Sequence, residues 1–230
     1  KELFAQAARQ YSFTHYTTAN GLASNQVYNI TQDKLGFVWL ATVNGLQRFD
    51  GKEFITFRHN RNIAGSLPSN NVAGIFSDSK GRFWVVNDDN SVGLFHTSTF
   101  EYQNVPVSAS PKTYNIFFPY RLLEDWRGKI ILMIVTQGIF ELDENSMVFK
   151  PSSIRVPEKW HVLELAADNY NKCYWLGADS GIARIDPLSG RIYTASNNTI
   201  KDPILEAFGR LENVGGIRPA VGGKTFSCNN

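Results

Sequence analysis

The sequence predicts an all-β fold built from repeated sheets, and three observations support this prediction. An aspartate recurs along the 230 residues, at Asp33, Asp78, Asp125 and Asp168. Its spacings are 45 (33 to 78), 47 (78 to 125) and 43 residues (125 to 168), and short apolar runs and glycine turns follow each copy. Aromatic residues make up 13% of the chain, which favours the pleated surface of a sheet. This period predicts a β-propeller of four-stranded antiparallel blades, with about four to five blades present and partial relative to a seven-bladed ring.

The first repeat predicts the elements of one blade. Strands are expected over residues 27–33, 37–42, 46–50 and 54–57. Asp33 and Gly36 suit the first turn, because the aspartate can bond to backbone amides ahead of it and glycine tolerates a positive φ. Asn44-Gly45 is a strong hairpin signal. The recurring aspartates are therefore expected to form turns, and the tryptophans at comparable positions are expected to pack between blades (Trp39, Trp84 and Trp175).

The later repeats depart from this pattern. The third replaces the tryptophan with Ile131, and an unusual segment, residues 117–119, precedes its inner strand. Residues 213–216 repeat the turn spacing 45 residues after Asp168 (168 to 213), with Pro219 at the tryptophan position, where it would remove a ladder donor. Residues 11–16 resemble a fourth strand and are expected to close the ring. The predicted organisation is a tail over 1–10, blades over 11–196 and a degenerate or truncated fifth blade over 197–230.

Composition narrows the function. The chain has 23 basic and 21 acidic residues, and the basic residues form no run, so nucleic acid is not an expected partner. No apolar stretch approaches the roughly 20 residues that a membrane span needs. Cys173 and Cys228 either form a disulfide or remain two thiols. The small-x-small tripeptide at residues 5–7 is either a signal-peptidase site within a signal-peptide remnant or a chance match.

One motif resembles a known family. It reads Gly21-Leu22-Ala23-Ser24-Asn25-x-Val27, then Gln32-Asp33-x-x-Gly36-Phe37-x-Trp39 and Gly45-Leu46-x-Arg48-Phe49-Asp50-Gly51. This resembles the two-component regulator propeller repeat, which builds the periplasmic sensor of hybrid two-component proteins in glycan-foraging bacteria. The resemblance implies a seven-bladed propeller that is normally followed by a second propeller, an immunoglobulin-like module, a membrane span, a histidine kinase and a response regulator. Kinase activity and membrane attachment would then belong to a longer parent chain.

Candidate ligand-binding residues come from two loop classes that share one face of a propeller. These loops join a fourth strand to the next first strand, or a second strand to a third. Their amides, carboxylates, single guanidinium and aromatic rings suit sugar hydroxyls and ring faces, although Asn and Asp also occur simply as turn formers. The predicted site comprises Asn25, Asn44, Asn70, Asp88, Asp89, Arg121, Trp160 and His161.

The sequence favours binding over catalysis. The four histidines lack metal-ligand spacing, and no G-x-S-x-G nucleophile motif occurs, so neither an enzyme nor a cofactor or metal is predicted. The leading hypothesis is a periplasmic ligand-sensing region that responds to an oligosaccharide or signals through dimer contacts in the parent protein. The alternative is a propeller scaffold for protein–protein interaction without a small ligand. A propeller lyase or hydrolase ranks third.

Overall fold

Four antiparallel four-stranded sheets and one two-stranded sheet make up the computed structural model, which describes residues 12–89, 91–108, 120–135, 138–219 and 226–229. The predicted tail over residues 1–10 and residues 117–119 lie outside the described residues. Each four-stranded sheet keeps the order of the chain from its first to its fourth strand. The predicted all-β fold of four-stranded antiparallel blades is confirmed.

Each of the first four blades contains four strands. The first contains β1 (Val27–Gln32), β2 (Val38–Thr42), β3 (Gly45–Phe49) and β4 (Phe54–Phe57). The second contains β5 (Val72–Ser77), β6 (Phe83–Asn87), β7 (Val92–His96) and β8 (Glu101–Asn104). The third contains β9 (Tyr120–Glu124), β10 (Ile130–Ile134), β11 (Gly138–Asp143) and β12 (Val148–Pro151). The fourth contains β13 (Val162–Asp168), β14 (Cys173–Ala178), β15 (Gly181–Ile185) and β16 (Ile192–Tyr193). A short helix α1 (Pro203–Phe208) precedes β17 (Gly215–Pro219) and β18 (Phe226–Asn229) of the fifth sheet.

The first strands of successive sheets lie side by side. β1 contacts β5, β5 contacts β9, β9 contacts β13, and β13 contacts β17. All five strands line one cavity of about 610 Å³, which we call the inner channel. This arrangement places the first strand of each blade innermost, as the repeat predicts.

Apolar side chains fill the spaces between neighbouring blades. Trp39 of the first blade packs in a buried cluster with Phe83 and Phe95 of the second. Trp84 packs against strands of the third blade, and Trp175 packs against Val214 and the fifth sheet. The predicted inter-blade role of the three tryptophans agrees with this packing, because no single sheet encloses its own apolar face.

The repeat aspartates form the turns between the first and second strands, and three of them also accept a hydrogen bond from the tryptophan of their repeat. Asp33 Oδ2 accepts a 2.7 Å hydrogen bond from the indole nitrogen of Trp39. The same bond joins Asp78 to Trp84 and Asp168 to Trp175, at 3.0 and 3.2 Å. This bond was not predicted from the sequence, although the tryptophan follows the aspartate by six residues in the first two repeats (33 to 39 and 78 to 84) and by seven in the fourth (168 to 175), which was a usable signal. One carboxylate thus links turn geometry to inter-blade packing.

Two expectations about the ends of the repeat region are wrong. Residues 12–16, the described part of the predicted closing strand, form no strand, and the ring of Tyr16 instead packs with its centroid 5.0 Å from that of Phe49 and 5.6 Å from that of Phe54. A strand requires a ladder partner, whereas this contact needs only an apolar surface. In the fifth sheet, residues 213–216 do not form the first turn; they lead into and begin β17, and Pro219 ends that innermost strand.

The helix α1 was also not predicted, although its N-cap was visible in the sequence. The Asp202 side chain accepts a hydrogen bond from the Ile204 amide at 2.9 Å, and Pro203 occupies the first helical turn. Cys173 is buried and has a free thiol, so the disulfide alternative does not apply to it. Among the described residues, no helix is both long enough and apolar enough to cross a membrane.

Gly177 is expected to be essential for docking of the fifth sheet. A Cβ atom at this position would lie 2.3 Å from the Val214 carbonyl oxygen and 2.9 Å from Ile217 Cδ1. We expect Gly177→Ala to lower the free energy of unfolding by about 1–3 kcal/mol, since backbone would have to move. Chemical denaturation would measure this, with Gly74→Ala as the control because a Cβ there meets no atom within 4 Å. Equal midpoints for the two variants would contradict the described contact.

Candidate functional site

The predicted loops lie at one edge of each sheet, which we call the upper face. It comprises the loops that lead into the first strands and the turns between second and third strands. In the first blade, for example, Val27 pairs with Thr42, and Thr42 with Gly45, so both loop classes meet at that edge. The aspartate turns lie at the opposite edge because the strands are antiparallel.

A repeated hydrogen bond joins the two loop classes on the upper face. The amide of Val43 donates to the Gln26 carbonyl at 3.3 Å in the first blade. The equivalent bonds are Asp88 to Asn71 at 3.1 Å in the second blade and Asp179 to His161 at 3.2 Å in the fourth. Each pair of loops is therefore held together before any ligand is considered.

In the first blade, Asn25 and Asn44 both act in loop structure. Asn25 Oδ1 accepts a hydrogen bond from the Thr18 amide at 3.0 Å. Asn44 Nδ2 donates to the Ala23 carbonyl at 3.1 Å, and the Asn44 carbonyl accepts from Arg58 Nε at 3.0 Å. These bonds support the turn-forming interpretation of the two asparagines and also fix the positions of their side chains.

The second blade brings Asn70, Asp88 and Asp89 to the same two loops. Asn70 Oδ1 accepts from the His59 amide at 2.8 Å, and Asp88 Oδ1 accepts from Ser69 Oγ at 2.6 Å. Asp89 Oδ1 accepts from the Ser91 amide at 3.0 Å and from Ser91 Oγ at 2.5 Å. The carboxylates are exposed, so each retains lone pairs that face solvent.

The fourth blade brings Trp160 and His161 together beside a groove. His161 donates from its amide to Asp179 Oδ1 at 3.1 Å, and His161 Nδ1 lies 2.7 Å from Asp179 Oδ2. Hydrogen bonds from His161 and then from Ser180 lower the pKa of Asp179 to about 2. Trp160 is half-buried and lines a groove of about 340 Å³ with Ser180, Thr194, Ser196, Arg210 and Glu212. This groove combines an aromatic ring with hydroxyl and charged groups.

Arg121 does not lie in a loop, which corrects the sequence prediction. It is the second residue of β9, pairs with Met133 of β10, and lines the inner channel. The ladder pairing of Arg121 with β10 begins the strand before this residue, so Arg121 lies in the innermost strand and not in the loop that leads into it. The predicted residues thus occupy two places: seven on the upper face, and Arg121 on the channel wall.

The inner channel contains a functional candidate that the sequence analysis missed. Glu164 of β13 is only 5% exposed, and its Oε2 lies 3.7 Å from Arg121 Nε. Both residues stand four positions before their turn aspartate (121 before 125, 164 before 168), where the other blades carry Asn29 (before 33) and Gly74 (before 78). The residue type at this position differs from repeat to repeat, and this variation was the signal in the sequence that could have identified Glu164.

The described residues contain no group of three or more His, Cys, Asp or Glu side chains that could hold a metal ion. The side chains described on the upper face and the channel wall offer hydrogen bonds, charge pairing and aromatic contact.

Comparison with known proteins gives one family match. Residues 21–44 and 66–89 match the two-component regulator propeller family. Over 57 residues, which are 25% of this chain, the sequence is 37% identical to histidine kinase P4 of Formosa agariphila. The chain spans 4% of that protein, so the match concerns a small part of it.

Solved structures show a similar fold. The extracellular domain of BT4673 from B. thetaiotaomicron, described as a one-component system, has a TM-score of 0.67 at 19% identity; the alignment covers 94% of this chain and 30% of that chain. The Swd1 β-propeller domain of Myceliophteria thermophila has a TM-score of 0.56 at 13% identity, covering 91% of this chain and 63% of that chain. At these identities the likeness shows the β-propeller fold.

Proposed function

Because the chain carries two-component regulator propeller repeats, we propose that it is the periplasmic ligand-sensing region of a two-component signalling protein and that its ligand is an oligosaccharide. The match to a histidine kinase and the likeness to the extracellular domain of a one-component system support the signalling part of the proposal. Kinase activity is assigned to other parts of a longer protein, and ligand recognition is assigned to the upper face and the inner channel.

The groove beside Trp160 is the observation that carries the oligosaccharide proposal. Trp160 lines this groove together with the polar residues Ser180, Thr194, Ser196 and Glu212. A sugar ring offers an apolar C–H face and a rim of hydroxyls, which such a surface matches. The adjacent His161–Asp179 pair is held by two hydrogen bonds, so it adds polar groups in a defined geometry.

Loss of the Trp160 ring is expected to weaken oligosaccharide binding. A glycan array followed by calorimetry on the whole 230-residue chain would identify a bound oligosaccharide. We expect Trp160→Ala to weaken its binding by about tenfold, because an aromatic contact contributes about 0.5–1.5 kcal/mol beyond buried area. Trp160→Phe retains a ring and should bind nearly normally. Equal unfolding midpoints would show that the binding loss does not result from unfolding, and wild-type affinity in Trp160→Ala would contradict the assignment.

Glycan binding also distinguishes ligand sensing from the scaffold alternative, in which the chain makes protein–protein contacts and binds no small ligand.

We also propose self-association or dimerisation in the parent protein, since the outer strand of each sheet presents an edge that can pair with another chain. A chain that binds no glycan but forms a dimer in light scattering would support the scaffold function. A monomer that binds glycan would support sensing without self-association.

A further inference from the structure

A second groove adjoins the groove beside Trp160, which we call the Trp160 groove. This second groove, the α1 groove, has a volume of about 420 Å³. Its lining comes from the segment after β16, from α1 and from the segment after α1, and comprises Ala195, Asn198, Leu205, Glu206 and Arg210. Ala195 and Arg210 line both grooves. The two grooves are therefore neighbouring parts of one surface depression that begins on the upper face of the fourth blade.

Close backbone approaches join the walls of the two grooves. A Cβ atom on Gly181 would lie 2.8 Å from the Gly209 carbonyl oxygen and 3.5 Å from Trp160 Cη2. A Cβ atom on Gly209 would lie 3.0 Å from Ala195 Cβ. The end of α1 therefore lies against the start of β15 on one side and against the segment after β16 on the other, and the two glycines allow this approach because they carry no side chain.

Hydrogen bonds within the chain fix the segment after β16. Asn197 Nδ2 donates to the Ile192 carbonyl at 3.0 Å. Asn198 Nδ2 donates to the Asp202 carbonyl at 2.9 Å, and Asn198 Oδ1 accepts from the Asp202 amide at 2.8 Å. Asp202 also caps α1, and its Oδ2 lies 2.7 Å from Arg184 Nη1. A preformed wall loses little conformational freedom when a ligand binds, which favours recognition at both grooves.

The α1 groove offers both hydrogen-bond donors and hydrogen-bond acceptors. Arg210 is exposed and has five N–H donors, and Glu206 is exposed and accepts through two carboxylate oxygens. A hydroxyl group can both donate and accept, so these two side chains match the hydroxyls of a sugar unit. The lining also includes the apolar residues Ala195 and Leu205.

We propose that the Trp160 groove and the α1 groove are adjoining subsites of one site, which binds a chain of at least two sugar units more tightly than the single sugar. This inference rests on the proposed function and adds a second subsite and a minimum ligand length to it. The volumes of the two grooves, about 340 and 420 Å³, both lie within the usual range of about 300–1,000 Å³ for small-molecule sites. One sugar unit contacts the Trp160 ring, and a neighbouring unit contacts Arg210 and Glu206.

Sugar series of increasing length test the proposal on the whole 230-residue chain. Calorimetry would compare glucose with maltose, maltotriose, cellobiose and cellotriose, and would compare mannose and xylose with their di- and trisaccharides. In at least one series we expect the affinity to rise about tenfold or more from the single sugar to the longer chain, because a second subsite adds hydrogen bonds to charged groups. The proposal is overturned if the single sugar binds as tightly as the longer chains. Absence of binding in every series and on the glycan array would contradict the proposed function as well.

Substitutions locate the second subsite. Glu206→Ala and Arg210→Ala should each weaken binding of the longer sugar by about fivefold, a modest effect because water competes for exposed charged groups. Glu206 lines the α1 groove and not the Trp160 groove, so Glu206→Ala should change binding of the single sugar little. Trp160→Ala should weaken binding of both sugars.

Glu53→Ala is the control, because Glu53 is exposed in the first blade, outside both grooves. Wild-type affinity for the longer sugar in both Glu206→Ala and Arg210→Ala, at unchanged unfolding midpoints, would overturn the second subsite. If sugar binding still depended on Trp160 in that case, the proposed function would stand without this inference.

Discussion

Replacing Trp39 with alanine is expected to lower the free energy of unfolding by about 3–5 kcal/mol, the range for truncation of a buried large aromatic side chain. The Trp39 side chain is fully buried, and its ring centroid lies 4.9 Å from Phe83 and 5.8 Å from Phe95 in the next blade. The substitution therefore opens a cavity between two blades. It also removes the indole donor that bonds to Asp33.

Two further variants separate these contributions. Trp39→Phe retains most of the apolar contact and loses the indole donor, so we expect a smaller loss of about 1–2 kcal/mol. Leu35→Ala changes a residue of the same turn that is 81% exposed, and a change within about 0.5 kcal/mol is expected. Chemical denaturation followed by tryptophan fluorescence or circular dichroism would measure all three. Similar midpoints for Trp39→Ala and Leu35→Ala would contradict the inter-blade role.

Asp125→Ala is expected to cost about 3 kcal/mol, the lower end of the range for breaking a buried charged pair. The third blade lacks the repeat tryptophan, and Asp125 Oδ2 instead accepts hydrogen bonds from Tyr174 of the fourth blade at 2.6 Å and from Arg127 Nε at 2.8 Å. Removing the carboxylate breaks the hydrogen bond between Tyr174 and Asp125 that joins the two blades. The buried Tyr174 hydroxyl then keeps its hydrogen bond from Arg127. Comparison with Tyr174→Phe and the double variant would give the interaction energy between the two side chains.

The same carboxylate predicts sensitivity to acid. Burial raises the pKa of Asp125, but hydrogen bonds from Tyr174, Arg127 and the Lys129 amide outweigh burial and hold it below its ordinary value of 3.8. Because the folded-state pKa is lowered, the stabilisation is complete above the unfolded-state pKa of about 4 and is lost as the pH falls through the folded-state value. We therefore expect the free energy of unfolding, measured between pH 6 and pH 2, to fall less steeply below about pH 4 in Asp125→Asn than in the wild type. Parallel profiles would show that Asp125 does not contribute to acid unfolding.

Local patterns in the chain were sufficient to predict the blades. The recurring aspartates, the glycines after them and the Asn44-Gly45 hairpin specify turns through the backbone conformations of a few adjacent residues. The same local regularity predicted that Trp39, Trp84 and Trp175 pack between blades, since an indole at a constant strand position must lie on the same surface of each sheet.

Long-range contacts decided the composition of the candidate site. Arg121 was assigned to a loop from its neighbours in sequence, whereas the pairing of β9 with β10 places it on the channel wall. Glu164 was not predicted at all, because its burial and its approach to Arg121 depend on two blades lying side by side. The first turn predicted for the fifth blade was displaced for a similar reason: Val214 docks against Ala178 through a 3.0 Å hydrogen bond, and this contact sets where β17 begins. Turn chemistry acts within a few residues, but the walls of the channel form only when side chains from separate repeats converge.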